Sequence, residues 1–218
     1  MSETLEKLER ERLAVVIRGT YGDDLVRLVD ALRRGGLSIF ELTFDPSADD
    51  PTRAGLESID LLRGKFGDEV TLGAGTVLTA DQAVAAADGG ASFIVAPNTN
   101  SEVITRTKEL GLVSIPGAIT PTEVLWAHDL GADMVKLFPA GTMGVKYAKD
   151  LLAPISNVKF MATAGLTPDV LRGFFEIGFT AAGISSYVTN KKLIAAGDFD
   201  TLEAHAREMV GIARSFGE

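Results

Sequence analysis

Short, wholly apolar runs alternate with amphipathic stretches along almost the full length of this 218-residue chain. That alternation leaves few folds open. The run Leu13 to Ile17, closed by Arg18 and Gly19, has no polar side, as expected of a strand buried on both faces. Asp23 to Arg34 follows as an amphipathic helix stopped at Gly35-Gly36. The cycle then repeats, with strands expected at 39–44, 70–73, 93–96, 113–115, 134–138, 159–163 and 181–184. Helices are expected at 53–66, 80–88, 101–110, 121–130, 145–152 and 168–177, and a last one from about Phe199 to Ser215. Strict alternation means parallel strands with crossover helices. About eight such units in ~200 residues favour a closed barrel over an open doubly wound sheet. The nearest approach to a dinucleotide fingerprint, Gly73-Ala74-Gly75-Thr76, lacks its third glycine. The expected fold is an α/β (β/α)8 TIM barrel with an extra N-terminal helix over Met1 to Arg10, spanning 1–218 as one domain.

Charge and composition exclude several functions. The formal net charge is −9 and no basic run occurs, so nucleic acid is not an expected partner. Cysteine is absent, and the two histidines, His128 and His205, lie far apart, so neither thiol chemistry nor a His-rich metal site is expected. No apolar run approaches the ~20 residues that cross a bilayer. The charged N-terminus is unlike a secretory signal, and the expected location is the cytoplasm.

In such a barrel the site forms at the C-terminal ends of the strands. Lys136 lies in Met134-Val135-Lys136-Leu137-Phe138, where period-two alternation puts Met134, Lys136 and Phe138 on one face. A buried ammonium is costly unless it is paired or loses its proton, and a neutral amine is the form that attacks a carbonyl carbon. On the second strand, Phe40, Leu42 and Phe44 share one face. If that face meets the helices, Glu41 points into the barrel and supplies an acid/base group beside Lys136. A buried ion pair between the two is the structural alternative. Arg18 suits a substrate carboxylate, because its planar fork binds both oxygens. Thr163-Ala164-Gly165 and Gly183-Ile184-Ser185-Ser186 close the last two strands. Small residues there let backbone N–H groups approach an anion, a recurrent phosphate site in barrels, and the Ser185 and Ser186 hydroxyls add donors.

These strand ends resemble the 2-keto-3-deoxy-6-phosphogluconate (KDPG)/4-hydroxy-2-oxoglutarate (KHG) aldolase family. The matching segments are Glu41-Leu42-Thr43, Gly73 to Leu78, Pro116-Gly117, Lys136 to Ala140 and Ala162 to Gly165, in the family's order from about Leu13 to Arg207. Ile17-Arg18-Gly19 and Val95 to Asn98 are closer to the 2-keto-3-deoxy-6-phosphogalactonate branch. The resemblance implies a class I aldolase needing no metal or other cofactor, assembled as a homotrimer and acting on a 2-keto acid that yields pyruvate. It places the Schiff base on Lys136 and the acid/base role on Glu41. Arg18 and Thr76 correspond to residues holding the pyruvate half, Pro97 and Phe138 to those shaping its pocket, and Gly165 and Ser186 to the phosphate site. Two departures stand out. Asp45 occupies a position where the gluconate branch carries Arg, and Ala164 replaces a common Gly. The loop from Asp45 to Arg53 is also longer than usual. Two other readings accompany the aldolase: a phosphate-binding isomerase or epimerase in which Lys136 acts only electrostatically, and a non-catalytic barrel that binds a sugar-acid phosphate.

Overall fold

Residues 2–217 are described in a computed structural model. Met1, included in the expected N-terminal helix, and Glu218 lie outside the described residues. The elements run α1 (Glu3–Glu11), β1 (Leu13–Ile17), α2 (Gly22–Arg34), β2 (Ile39–Thr43), α3 (Arg53–Phe66), β3 (Thr71–Gly75) and α4 (Ala80–Asp88). They continue with β4 (Phe93–Val95), α5 (Ser101–Glu109), β5 (Val113–Ile115), β6 (Gly117–Ala118), α6 (Pro121–Asp129), β7 (Val135–Leu137) and α7 (Ala140–Leu152). The chain closes with β8 (Phe160–Thr163), α8 (Pro168–Glu176), β9 (Ala181–Ile184), α9 (Lys191–Ala196) and α10 (Phe199–Arg214).

The strands form one parallel sheet in the order β5-β4-β3-β2-β1-β9-β8-β7-β6. Its two ends are neighbours in sequence. Only Pro116 separates β5 from β6, and proline has no N–H to give to a ladder. Its carbonyl still accepts from the Lys136 N–H at 2.9 Å, and the Ser114 carbonyl accepts from the Asp133 N–H at 3.0 Å. The segment Val113–Ala118 therefore bonds β4 on one side and β7 on the other. It counts as one strand, and the eight-stranded barrel closes.

Two cores follow from strand alternation. Phe40, Leu42, Val135, Leu137 and Ala162 face outward into the layer between sheet and helices. Ile39, Phe93, Val95, Val113, Ile115, Met134 and Met161 fill the barrel interior together with Leu5 and Leu8 of α1. The extra helix is thus a plug at the N-terminal end. Ser2 caps it by accepting from the Leu5 N–H. Lys7 Nζ donates to Thr71 Oγ1 at 2.9 Å, and Lys159 pairs with Glu9. With that end closed, the open mouth lies at the other.

One helix differs from expectation and one was not expected. The seventh helical segment starts at Ala140, not Val145, and is kinked at Gly144 (φ 79°, ψ 163°). Ala140-Gly141-Thr142-Met143-Gly144 reads as loop because glycine disfavours helix, but tertiary contact prevails. The Gly141 N–H donates to the Ala164 carbonyl at 2.9 Å, and a Cβ on Gly141 would lie 2.7 Å from that oxygen. The unexpected one is α9, a six-residue helix capped by the Asn190 side chain and ended at Gly197 (φ 71°). Six residues are too few for helical periodicity to register.

Candidate active site

Alternation along β2 turns Phe40 and Leu42 outward and Glu41 inward, where it is 2% exposed. Its carboxylate lies flat against Gly75 of β3, and a Cβ there would sit 1.9 Å from Glu41 Oε1. Gly75 is needed for close approach, and it holds Glu41 to one side of the mouth. Lys136, 6% exposed, comes from β7, paired in register with Gly117 and Met161. Lys136 Nζ lies 5.2 Å from the centroid of the Phe138 ring. Among the described residues, no carboxylate lies within 4.0 Å of that nitrogen. The buried Lys136–Glu41 ion pair is therefore not formed.

Both residues line one cavity of about 600 Å³ at the barrel mouth, within the range that holds a small-molecule ligand. Arg18, Thr76, Pro97, Phe138, Ser185 and Ser186 line it too. Arg18 Nη2 donates to Thr76 Oγ1 at 2.8 Å, so these two strand ends act as one polar group. Gly165 is the exception. It is exposed beside the cavity and off its wall, while Ala164 takes the inward position. Ala164 (φ 79°) and Thr76 (φ 60°) both hold left-handed backbone. That conformation is costly for Ala and more so for a β-branched residue. Such strain gathers at functional sites.

Asp45 is held within its own loop. Ser47 donates to it through its hydroxyl at 2.6 Å and its N–H at 3.0 Å, and Asp45 does not line the cavity. Those bonds, the hydroxyl first, with a smaller contribution from Arg18, hold its carboxyl below the usual range. Residues with no role assigned from sequence also line the wall, notably Thr163, Thr189, Asn190, Lys191 and Lys192. Thr163 Oγ1 is buried with no hydrogen-bond partner, leaving a hydroxyl that a bound polar group would satisfy. Among the described residues, no three His, Asp or Glu side chains gather as a metal-ligand set, and no helix is long and apolar enough to cross a membrane.

A plugged barrel with a buried, unpaired lysine and a buried carboxylate at its open end defines a (β/α)8-barrel enzyme. Comparison with known proteins is specific. A family model for KDPG and KHG aldolase matches residues 5–205. The 2-dehydro-3-deoxy-phosphogluconate aldolase of Haemophilus influenzae is 33% identical over 213 residues, 97% of each chain. The 2-dehydro-3-deoxy-6-phosphogalactonate aldolase of Escherichia coli K12 is 31% identical, over 94% of this chain and 95% of its own. The solved structure of native KDPGal superposes with a TM-score of 0.81 at 30% identity, covering 94% of this chain and 95% of that one. The chain belongs to the KDPG and KHG aldolase family, and so to the aldehyde-lyases. Of the three readings left open by sequence, this membership selects the aldolase.

Proposed function

We propose that the chain is a class I aldolase that reversibly cleaves a 4-hydroxy-2-keto acid, specifically a 2-keto-3-deoxy-6-phospho sugar acid. The products are pyruvate and an aldehyde such as glyceraldehyde 3-phosphate. The observation that carries this reading is the burial of Lys136 and Glu41 at one mouth with no ion pair between them. Lys136 Nζ attacks the C2 carbonyl to form a carbinolamine, which loses water to give an iminium. Glu41, through a water, takes the C4 hydroxyl proton as the C3–C4 bond breaks. The electron pair of that bond flows to the iminium nitrogen, leaving an enamine and a free aldehyde. Protonation at C3 and hydrolysis then release pyruvate and restore the amine. Arg18 and Thr76 hold the carboxylate, and Pro97 and Phe138 shape the space around the reacting carbons. The Ser185-Ser186 turn, with Ala164 beside it, faces the distal phosphate. Assembly as a homotrimer in the cytoplasm, built from single-domain subunits, belongs to the same proposal and rests on the resemblance.

The test is a coupled assay of pyruvate release from a six-carbon 2-keto-3-deoxy 6-phospho acid, run with and without EDTA. Because the iminium is the electron sink, turnover is expected to be unchanged by the chelator. Activity lost to EDTA and restored by a divalent ion would contradict the mechanism.

A further inference from the structure

Two lysines on the cavity rim have no part in the chemistry above. Lys191 and Lys192 occupy the first turn of α9 and line the cavity. Neither forms an ion pair among the described residues. Lys191 extends to the neighbouring end of β1, where its Nζ lies 3.3 Å from the position a Cβ on Gly19 would take. That places an ammonium over the end of β1, one residue from Arg18. The Asn190 side chain fixes this approach by accepting from the Lys192 N–H at 3.0 Å and the Leu193 N–H at 3.4 Å. The charge pattern is local. The whole chain carries 30 acids against 21 bases, yet the cavity wall carries Arg18, Lys136, Lys191 and Lys192 against the single carboxylate of Glu41. A cationic cleft in an anionic protein concentrates anions and speeds their capture.

Resting on the aldolase reading, we propose that Lys191 and Lys192 are specificity determinants that clamp the substrate's terminal phosphate against the Ser185-Ser186 turn. The substrate has two anionic ends of different geometry. A planar carboxylate suits the Arg18 fork, which leaves the dianionic end for point charges that donate in any direction. The two lysines act on ground state and transition state alike, so their removal is read in KM more than in kcat.

The experiment measures kcat and KM for a six-carbon 2-keto-3-deoxy acid with and without its 6-phosphate, and for 4-hydroxy-2-oxoglutarate. The proteins are the unmutated enzyme, Lys191→Ala, Lys192→Ala, the double variant and Lys191→Arg/Lys192→Arg. The ratio of kcat/KM for phosphorylated over unphosphorylated substrate is expected to fall ~10-fold for each alanine and ~100-fold for both. The loss should sit in KM, shrink with added salt, and be largely restored by the arginine pair, which keeps the charge. An unchanged ratio in the double variant would overturn the inference. So would a larger loss for 4-hydroxy-2-oxoglutarate, because the clamped anion would then be a carboxylate. Borohydride trapping of pyruvate in the unmutated enzyme keeps the two claims apart. An adduct with an unmoved ratio defeats only the lysine clamp, and no adduct defeats the aldolase mechanism beneath it.

Discussion

Replacing Lys136 by Met is expected to lower turnover by at least ~10⁴-fold while leaving the fold intact, because Lys136 is the buried amine of the cavity, whereas Lys191 and Lys192 are exposed on its rim. The reason the protein survives is local. Lys136 is 6% exposed, has no carboxylate partner, and sits among Met134, Met161 and Phe138. Methionine is a close match in length and adapts to irregular apolar space. Exchanging an unpaired buried amine for a thioether removes a polar group and leaves no charge behind. Thermal melting of the variant should therefore match or exceed that of the parent. A melting temperature far below the parent's would mean that Lys136 holds the barrel together; retained turnover would mean it is not the nucleophile.

The second large effect is expected at Glu41. Glu41→Gln keeps shape and length, so the side chain still lies flat on Gly75, whose missing Cβ makes the contact possible. Only the ability to exchange a proton is lost. Turnover should fall by at least ~10²-fold, the ordinary scale for a missing acid/base group. Capture of pyruvate should persist, since Lys136 is untouched. Unchanged turnover with a lowered melting point would make Glu41 a structural residue.

Much of this architecture is legible in the sequence, for a physical reason. Parallel strands covered on both faces must be apolar on both faces, so Leu13 to Ile17 and its later counterparts read as continuous runs. A polar residue inside such a run then points either to the mouth or to an error. Lys136 and Glu41 could be placed because side-chain alternation is rigid, and the outward Phe40-Leu42 face decided the inward one. Lys159 makes the contrast, since it lies at the start of its strand and pairs with Glu9 of the plug. The features that no local pattern carries lie off the strands. Lys191 and Lys192 reach the cavity because the segment after β9 folds back over the mouth, and no local pattern states where a turn will lead its successors. The helical turn at Ala140–Met143 was hidden for a similar reason, as its support is the contact between Gly141 and Ala164, distant in sequence. The resemblance assigns Gly165 to the phosphate site, and in the structure it is left-handed Ala164 that lines the cavity there.

The central claim is that one amine, among all the lysines of this chain, becomes covalently bound to the keto acid. Its most direct test is incubation of the intact protein with pyruvate and borohydride, followed by peptide mass mapping. Reduction turns the reversible imine into a stable secondary amine. The account predicts a single adduct on the peptide containing Lys136 and none on that containing Lys159. An active protein that carries its label on Lys159, or carries none, would contradict it.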